Sequence, residues 1–190
     1  MKKILRWRAT ILGHASDAMR YSVVALIEPS GDAIAIDHER WRVFEAFKGR
    51  SALRMPLHVT LCKWQAIGQD TARLRRAWHR APLALTLRIG TPALSADMKG
   101  VWCLVQNENV LHVTALAIRK CIATARARHM RFLPVGRPHI TLAYKDYSRG
   151  KLDEIVPFAK GTWDRRTRIV KTSVMVMAYS RGQSQWTVAS

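Results

Sequence analysis

The chain has 190 residues, 48% of them apolar and 24% charged, proportions ordinary for a soluble globular protein long enough to bury one sizeable core. Its 32 Lys and Arg against 13 Asp and Glu leave a net charge of +19, which favours a polyanionic partner, nucleic acid above all, although a solvated Arg-rich surface would read the same way. Cys62, Cys103 and Cys121 share no C-x-x-C or C-x-x-H spacing, which argues against a disulfide framework and a zinc site. No apolar run reaches the roughly 18 residues of a membrane span.

Residues 1–20 are basic, with Arg6, Arg8 and His14 interrupting the apolar positions, so a secretory signal is not expected. A basic arm or an organellar transit peptide stays open, and the expected location is cytoplasmic. Tyr21–Ile27 is a β-rich run ending at the turn signal Glu28-Pro29-Ser30-Gly31. Residues 37–48 carry Trp41, Phe44 and Phe47 at helical spacing, and Gly49 is read as the stop. Next comes PLHVTLCKW, alternating as a strand does. Residues 70–80 predict a short basic helix, and 83–94 a strand broken near Gly90 and Pro92.

The second half repeats the order. Val101–Val105 is a strand, a helix over 110–128 starts at Asn107 or Asn109, and Pro134–Gly136 turns into the strand RPHITLAY. From strand start to motif His the distance is 37 residues in the first half (Tyr21 to His58) and 38 in the second (Val101 to His139). Two strands over 169–178 and 185–189 complete the chain, and a pseudo-twofold of two similar halves follows.

His-x-Thr is written three times, at 58–60, 112–114 and 139–141. With 7 His and 12 Thr in 190 residues, chance gives about 0.4 copies. On a strand, i and i+2 share a face, so His58 with Thr60 and His139 with Thr141 each present an imidazole and a hydroxyl together. Two such pairs in one cleft suit phosphodiester cleavage. A neutral imidazole takes a proton from the attacking oxygen, an imidazolium protonates the departing one, and the hydroxyls donate to the phosphate oxygens. No ligand spacing calls for a metal. His112 lies in a helical pattern, where i and i+2 do not share a face, and is set aside.

Strands bearing HVTL and HITL, about 80 residues apart in a pseudo-symmetric chain, resemble the 2H phosphoesterase superfamily, in its 2′-5′ RNA ligase-like branch. The resemblance spans residues 21–189 and implies an α+β fold: a single bilobal domain with two antiparallel sheets lining a central cleft and helices packed outside. It implies a metal-independent phosphodiesterase with no cofactor, and catalytic roles for His58, Thr60, His139 and Thr141. The substrates implied are 2′,3′-cyclic phosphates, 2′-5′-linked RNA or oligonucleotides, with reversible 2′-5′ ligation a further possibility. Many members carry Arg or an aromatic residue three places after the second motif Thr, here Tyr144, matched by Lys63 in the first motif. Strict alternation aims both away from the catalytic face.

Tyr21 and Trp64 are further candidates, for stacking a base, as is Arg137 for meeting a phosphate. Cys62 falls on the catalytic face by alternation, without a partner to activate it. RNA ends or small cyclic nucleotides are the expected partners of a monomer that does not enter membranes. Two other readings stand beside this one. The first is a hydrolase of cyclic oligonucleotide messengers, as in viral members of the superfamily. The second is a non-catalytic RNA-binding module, which would not need two titratable groups facing each other.

Overall fold

The computed structural model describes residues 18–54, 56–67, 84–124, 131–133, 135–163, 166–179 and 187–188. The predicted helix over 70–80 and the turn at 180–182 lie outside these, as does the basic segment up to residue 17.

The first strand, β1 (Ala18–Ile27), starts three residues ahead of the predicted one. Helix α1 (Gly31–Phe47) begins six residues earlier than its periodicity suggests, because Ser30 caps it. The Ser30 hydroxyl accepts from the Ala33 amide at 3.2 Å, and Asp32 sits in the first turn, where the helix dipole favours a negative charge. Ala33, Ile36 and Val43 form its buried stripe. Lys48, not Gly49, takes the left-handed closing conformation, with φ at 64°. Gly49 answers to a different constraint: a Cβ there would lie 2.2 Å from the ring of Tyr147, whose hydroxyl accepts from the Gly49 amide at 2.9 Å.

After a 3-10 turn (Ser51–Arg54) come β2 (His58–Ile67), β3 (Ala84–Leu94) and β4 (Gly100–Val105). Strand β3 runs through Gly90 and Pro92 unbroken, and its irregularity is confined to an offset against β4 between Ile89 and Pro92. Helix α2 (Glu108–Thr124) follows Asn107, whose side chain serves β3 instead of the helix. It accepts from the Arg88 amide and donates to the Thr86 carbonyl, both at 2.9 Å. Then come β5 (Arg131–Leu133), β6 (His139–Tyr144), α3 (Arg149–Thr162), β7 (Arg168–Tyr179) and β8 (Thr187–Val188). Helix α3 was not foreseen, since Gly150, Pro157 and Gly161 mask its period. Ser148 caps it, and Leu152, Ile155 and Ala159 bury its inner stripe.

These elements make an α+β fold in which every strand pairing is antiparallel. Among the described residues the strands form one sheet of eight, in the order β5-β2-β1-β7-β3-β4-β6 with β8 beside β7. The expected two sheets are therefore one, because β7 and β3 pair from Arg168 to Ser173 and join the halves. The pseudo-twofold lies between those two strands, relating β1 to β4, β2 to β6 and β7 to β3.

The halves are interleaved. Strand β3 follows the first motif strand yet pairs with β4, and β7 follows the second yet pairs with β1. The helices cross too: α1 packs against β6, and α2 against β2. The sheet curls until β2 and β6, near its two ends, touch. Tyr147 on Gly49, and Asp146 accepting from the amide and hydroxyl of Ser51, tie the end of β6 to the turn ahead of β2. One core runs through both halves and includes Val59 and Leu61 of β2, Ile140 and Leu142 of β6, and Ile155 of α3. Fully burying a side chain of this size is worth about 1.5–3 kcal/mol.

Candidate active site

Ladder partners in an antiparallel sheet share a face, so the register shows what surrounds each motif. His58 lies opposite Leu26 and Thr60 opposite Val24. His139 lies opposite Leu104 and Thr141 opposite Trp102. Val59 and Ile140 point the other way and are buried. Both imidazoles and both hydroxyls are half-buried on the face of the sheet away from that core.

The two histidines are held alike. His58 Nδ1 lies 2.8 Å from the Pro56 carbonyl, and His139 Nδ1 lies 2.6 Å from the Arg137 carbonyl. A carbonyl only accepts, so each Nδ1 carries the proton and each Nε2 is left as the working nitrogen. The rings feel each other, for the charge of His139 acts on His58. Neither Thr60 nor Thr141 hydroxyl has a hydrogen-bond partner among the described residues, which leaves both available to a ligand.

Past the threonines the alternation changes sign in both motifs. Cys62 pairs with Val23 while Thr60 pairs with the next residue, Val24, so Leu61 is an extra residue, a bulge. Ala143 pairs with Val101 while Thr141 pairs with Trp102, so Leu142 bulges at the equivalent place. The consequence is that Leu61 and Cys62 are both buried, as are Leu142 and Ala143, and Lys63 and Tyr144 return to the face of the histidines. Strict alternation had aimed both away. The sequence does hold the signal: each motif breaks its alternation with two apolar residues in a row, Leu-Cys and Leu-Ala.

Cys62 is correspondingly not on the face of His58 and Thr60. Burial pushes its thiol up to about 12, which leaves it protonated and unreactive. Trp64 is 1% exposed within the core, so it cannot stack a base at a cleft mouth. Tyr21 pairs with Trp64 in the ladder, and its side chain lies outside the described residues. The Arg137 guanidinium is engaged by Glu108, with Nε donating at 3.1 Å, and its carbonyl serves His139; it is not held ready for a phosphate. His112 is exposed on α2 while Thr114 is buried and donates to the Val110 carbonyl at 2.7 Å, so the third His-x-Thr splits across the helix. His112 and Thr60 nevertheless line one groove of about 240 Å³, together with Leu111, Arg119 and Pro138.

The electrostatics differ between the halves. Desolvation lowers the His58 pKa to about 4, against the pull of the Pro56 carbonyl and with help from Arg40, Lys63 and His139. Desolvation also lowers His139, again with help from Lys63, but the Arg137 carbonyl and Asp97 oppose it. Lys63 is itself lowered, first by burial and then by Lys145. Trp102, which nothing in the sequence marks beyond its place in a strand, stacks on His139 with centroids 3.7 Å apart and planes 9° from parallel. Among the described residues no group of three or more His, Cys, Asp or Glu is placed to hold a metal ion, and no helix is long and apolar enough to cross a membrane.

No protein-family model and no curated protein sequence matches the chain. Solved structures do match its fold. E. coli LigT in complex with 3′-AMP superposes with a TM-score of 0.56 at 18% identity, over 92% of this chain and 95% of LigT. LigT in complex with NADP+ gives 0.57 at the same identity and coverage. Kluyveromyces marxianus Usb1 gives 0.48 at 14% identity, over 92% of this chain and 98% of Usb1. The chain thus has the fold of LigT, an α+β fold as expected, with one antiparallel sheet where two were expected.

Proposed function

We propose that the chain is a phosphodiesterase acting on RNA ends or small nucleotides with 2′,3′-cyclic phosphate or 2′-5′ linkages, with His58, Thr60, His139 and Thr141 as its catalytic residues. The observation that carries this is the matched presentation of two imidazoles, each with Nδ1 committed to a carbonyl two residues back and Nε2 free. One neutral Nε2 takes a proton from water as its oxygen bonds to phosphorus. The other, protonated, gives its proton to the ribose oxygen as the second phosphorus–oxygen bond breaks. On this reading Thr60, Thr141 and Lys63 would hold the non-bridging oxygens as charge gathers on them. Two imidazoles supply both proton transfers, so the scheme needs no metal ion. The net charge of +19 supports an RNA end over a free mononucleotide as the preferred form.

The test is a panel in the presence of EDTA: a 2′,3′-cyclic mononucleotide, an RNA ending in a cyclic phosphate, a 2′-5′-linked oligonucleotide and a cyclic dinucleotide. Cleavage of one of the first three, lost in His58→Ala and His139→Ala, is the expected result. Activity on the cyclic dinucleotide alone would favour the messenger-hydrolase reading. Binding of RNA with no cleavage of anything, or turnover that EDTA abolishes and one metal ion restores, would overturn the scheme.

A further inference from the structure

The strand, the bulge and the preceding carbonyl match around the two histidines, and the side chains packed beside them differ. The largest difference is Trp102. It lies on β4 opposite Thr141, two rungs from His139 and on the same face, and covers one face of that imidazole at 3.7 Å and 9°. No ring contact of this kind is found on His58 among the described residues. The indole is a costly choice for packing alone, because its Nε1 is buried without a hydrogen-bond partner. A phenyl ring would fill the strand face without that cost. Room for the indole is also provided: Gly100 passes so close that a Cβ there would sit 3.2 Å from Trp102 Nε1 and 2.4 Å from the Ala143 carbonyl oxygen.

An indole face attracts a cation more strongly than any other aromatic ring does, and a stacked imidazolium is such a cation. We propose that Trp102 is a positioning residue for His139 and makes the pair unequal, so that the proton the two imidazoles share rests on His139. The groups around each ring agree. His139 meets the indole from β4, Asp97 from the β3–β4 turn, Lys63 from β2 and the Arg137 carbonyl from the segment ahead of β6. His58 meets Arg40 from α1, Lys63 from its own strand, His139 itself and the Pro56 carbonyl, with no carboxylate among the groups that act on it. In the resting protein His139 is then the proton donor of the pair and His58 the acceptor. The roles rest on the phosphodiesterase reading; the place of the proton does not.

The experiment is an NMR titration of the imidazoles in the full chain, assigned with His58→Gln and His139→Gln, and repeated in Trp102→Leu, Trp102→Phe and Trp102→Tyr. In the unaltered protein His139 should titrate at higher pH than His58. Trp102→Leu should weaken proton binding at His139 about three- to tenfold, a drop of roughly half to one pH unit. His58 should move little, and the Phe and Tyr variants should fall between. On a cleaved substrate, kcat should fall with the His139 titration while KM stays within about twofold. A higher titration point for His58 than for His139 would overturn the proposal. So would a His139 titration unmoved in a folded Trp102→Leu or, should that variant fail to fold, unmoved between Trp and Phe. Titrations as expected in a protein that cleaves no nucleotide would sustain the place of the proton and overturn the phosphodiesterase reading instead.

Discussion

One half of the molecule holds its histidine among cations, and the other holds its histidine under an indole. The strand, the preceding carbonyl, the threonine and the bulge are the same on both sides of the pseudo-twofold. Arg40 acts on His58, Trp102 and Asp97 act on His139, and Lys63 acts on both. The comparison teaches that a duplicated backbone supplies position and that the side chains packed on it supply difference. Two groups that must hold opposite protonation states need both.

The harshest way to break the comparison is to remove either ring. His58→Ala and His139→Ala should each lower kcat/KM by about 10²–10⁴, the range of a general acid or base. The double variant should be little worse than either single one, because the two act as a unit. Equal folding of all three, read by circular dichroism, makes that loss chemical.

Trp64→Ala sets a core role against the expected stacking role. It should cost about 3–5 kcal/mol in urea unfolding, the usual cost of emptying a buried Trp site. The KM of the protein that remains folded should be unchanged. A raised KM at unchanged stability would return Trp64 to the substrate.

Removing the shared cation sharpens the comparison. Lys63→Met should lower kcat/KM by about tenfold or more, as loss of one donor to a developing charge does. It should also raise the titration points of both histidines, since Lys63 lowers both. A third readout is the pH profile. With His58 depressed to about 4, the acid limb of kcat/KM should lie near pH 4 and not near the usual 6.5 of a free imidazole. The sign for stability follows. Between pH 6.5 and 4 the unfolded chain takes a proton that folded His58 refuses, so stability should fall across that window, and His58→Gln should flatten the fall. An acid limb at pH 6.5 would put His58 in water and undo the contrast. The smallest effect belongs to His112→Ala, which should leave kcat within about twofold because its ring is exposed on α2 and shares no face with Thr114.

Much of the site was legible because a strand has a period of two, so His58 with Thr60, and His139 with Thr141, could be assigned one face from spacing alone. Strict alternation puts Cys62 on the wrong face and leaves Lys63 and Tyr144 on the right one only if the strand end departs from it, because a single extra residue reverses everything beyond it. Leu61 and Leu142 do that, and the apolar pairs Leu-Cys and Leu-Ala are the trace the bulges leave in the sequence. Trp102 was out of reach, since stacking depends on which strand lies beside β6 and spacing carries no such information. In the fold, the strand–helix–motif-strand unit was readable twice. Helix α3 was not, since Pro157 and two glycines interrupt the pattern that its buried stripe would otherwise show.

The interleaved strand order has a consequence for how such a molecule comes into being. Strand β7 is the only described strand bonded to both β1 and β3, with Arg20 facing Tyr179 at one end and Arg168 facing Ile89 at the other. A nascent chain that has already made both His-x-Thr strands therefore has nothing to clamp them into one sheet until residues near 170 have emerged. Pairings that bridge most of the chain are slow to form, because a long loop must close before any contact rewards it. Folding is thus expected to finish only after synthesis has passed β7. Until then the two histidine strands are not part of one sheet.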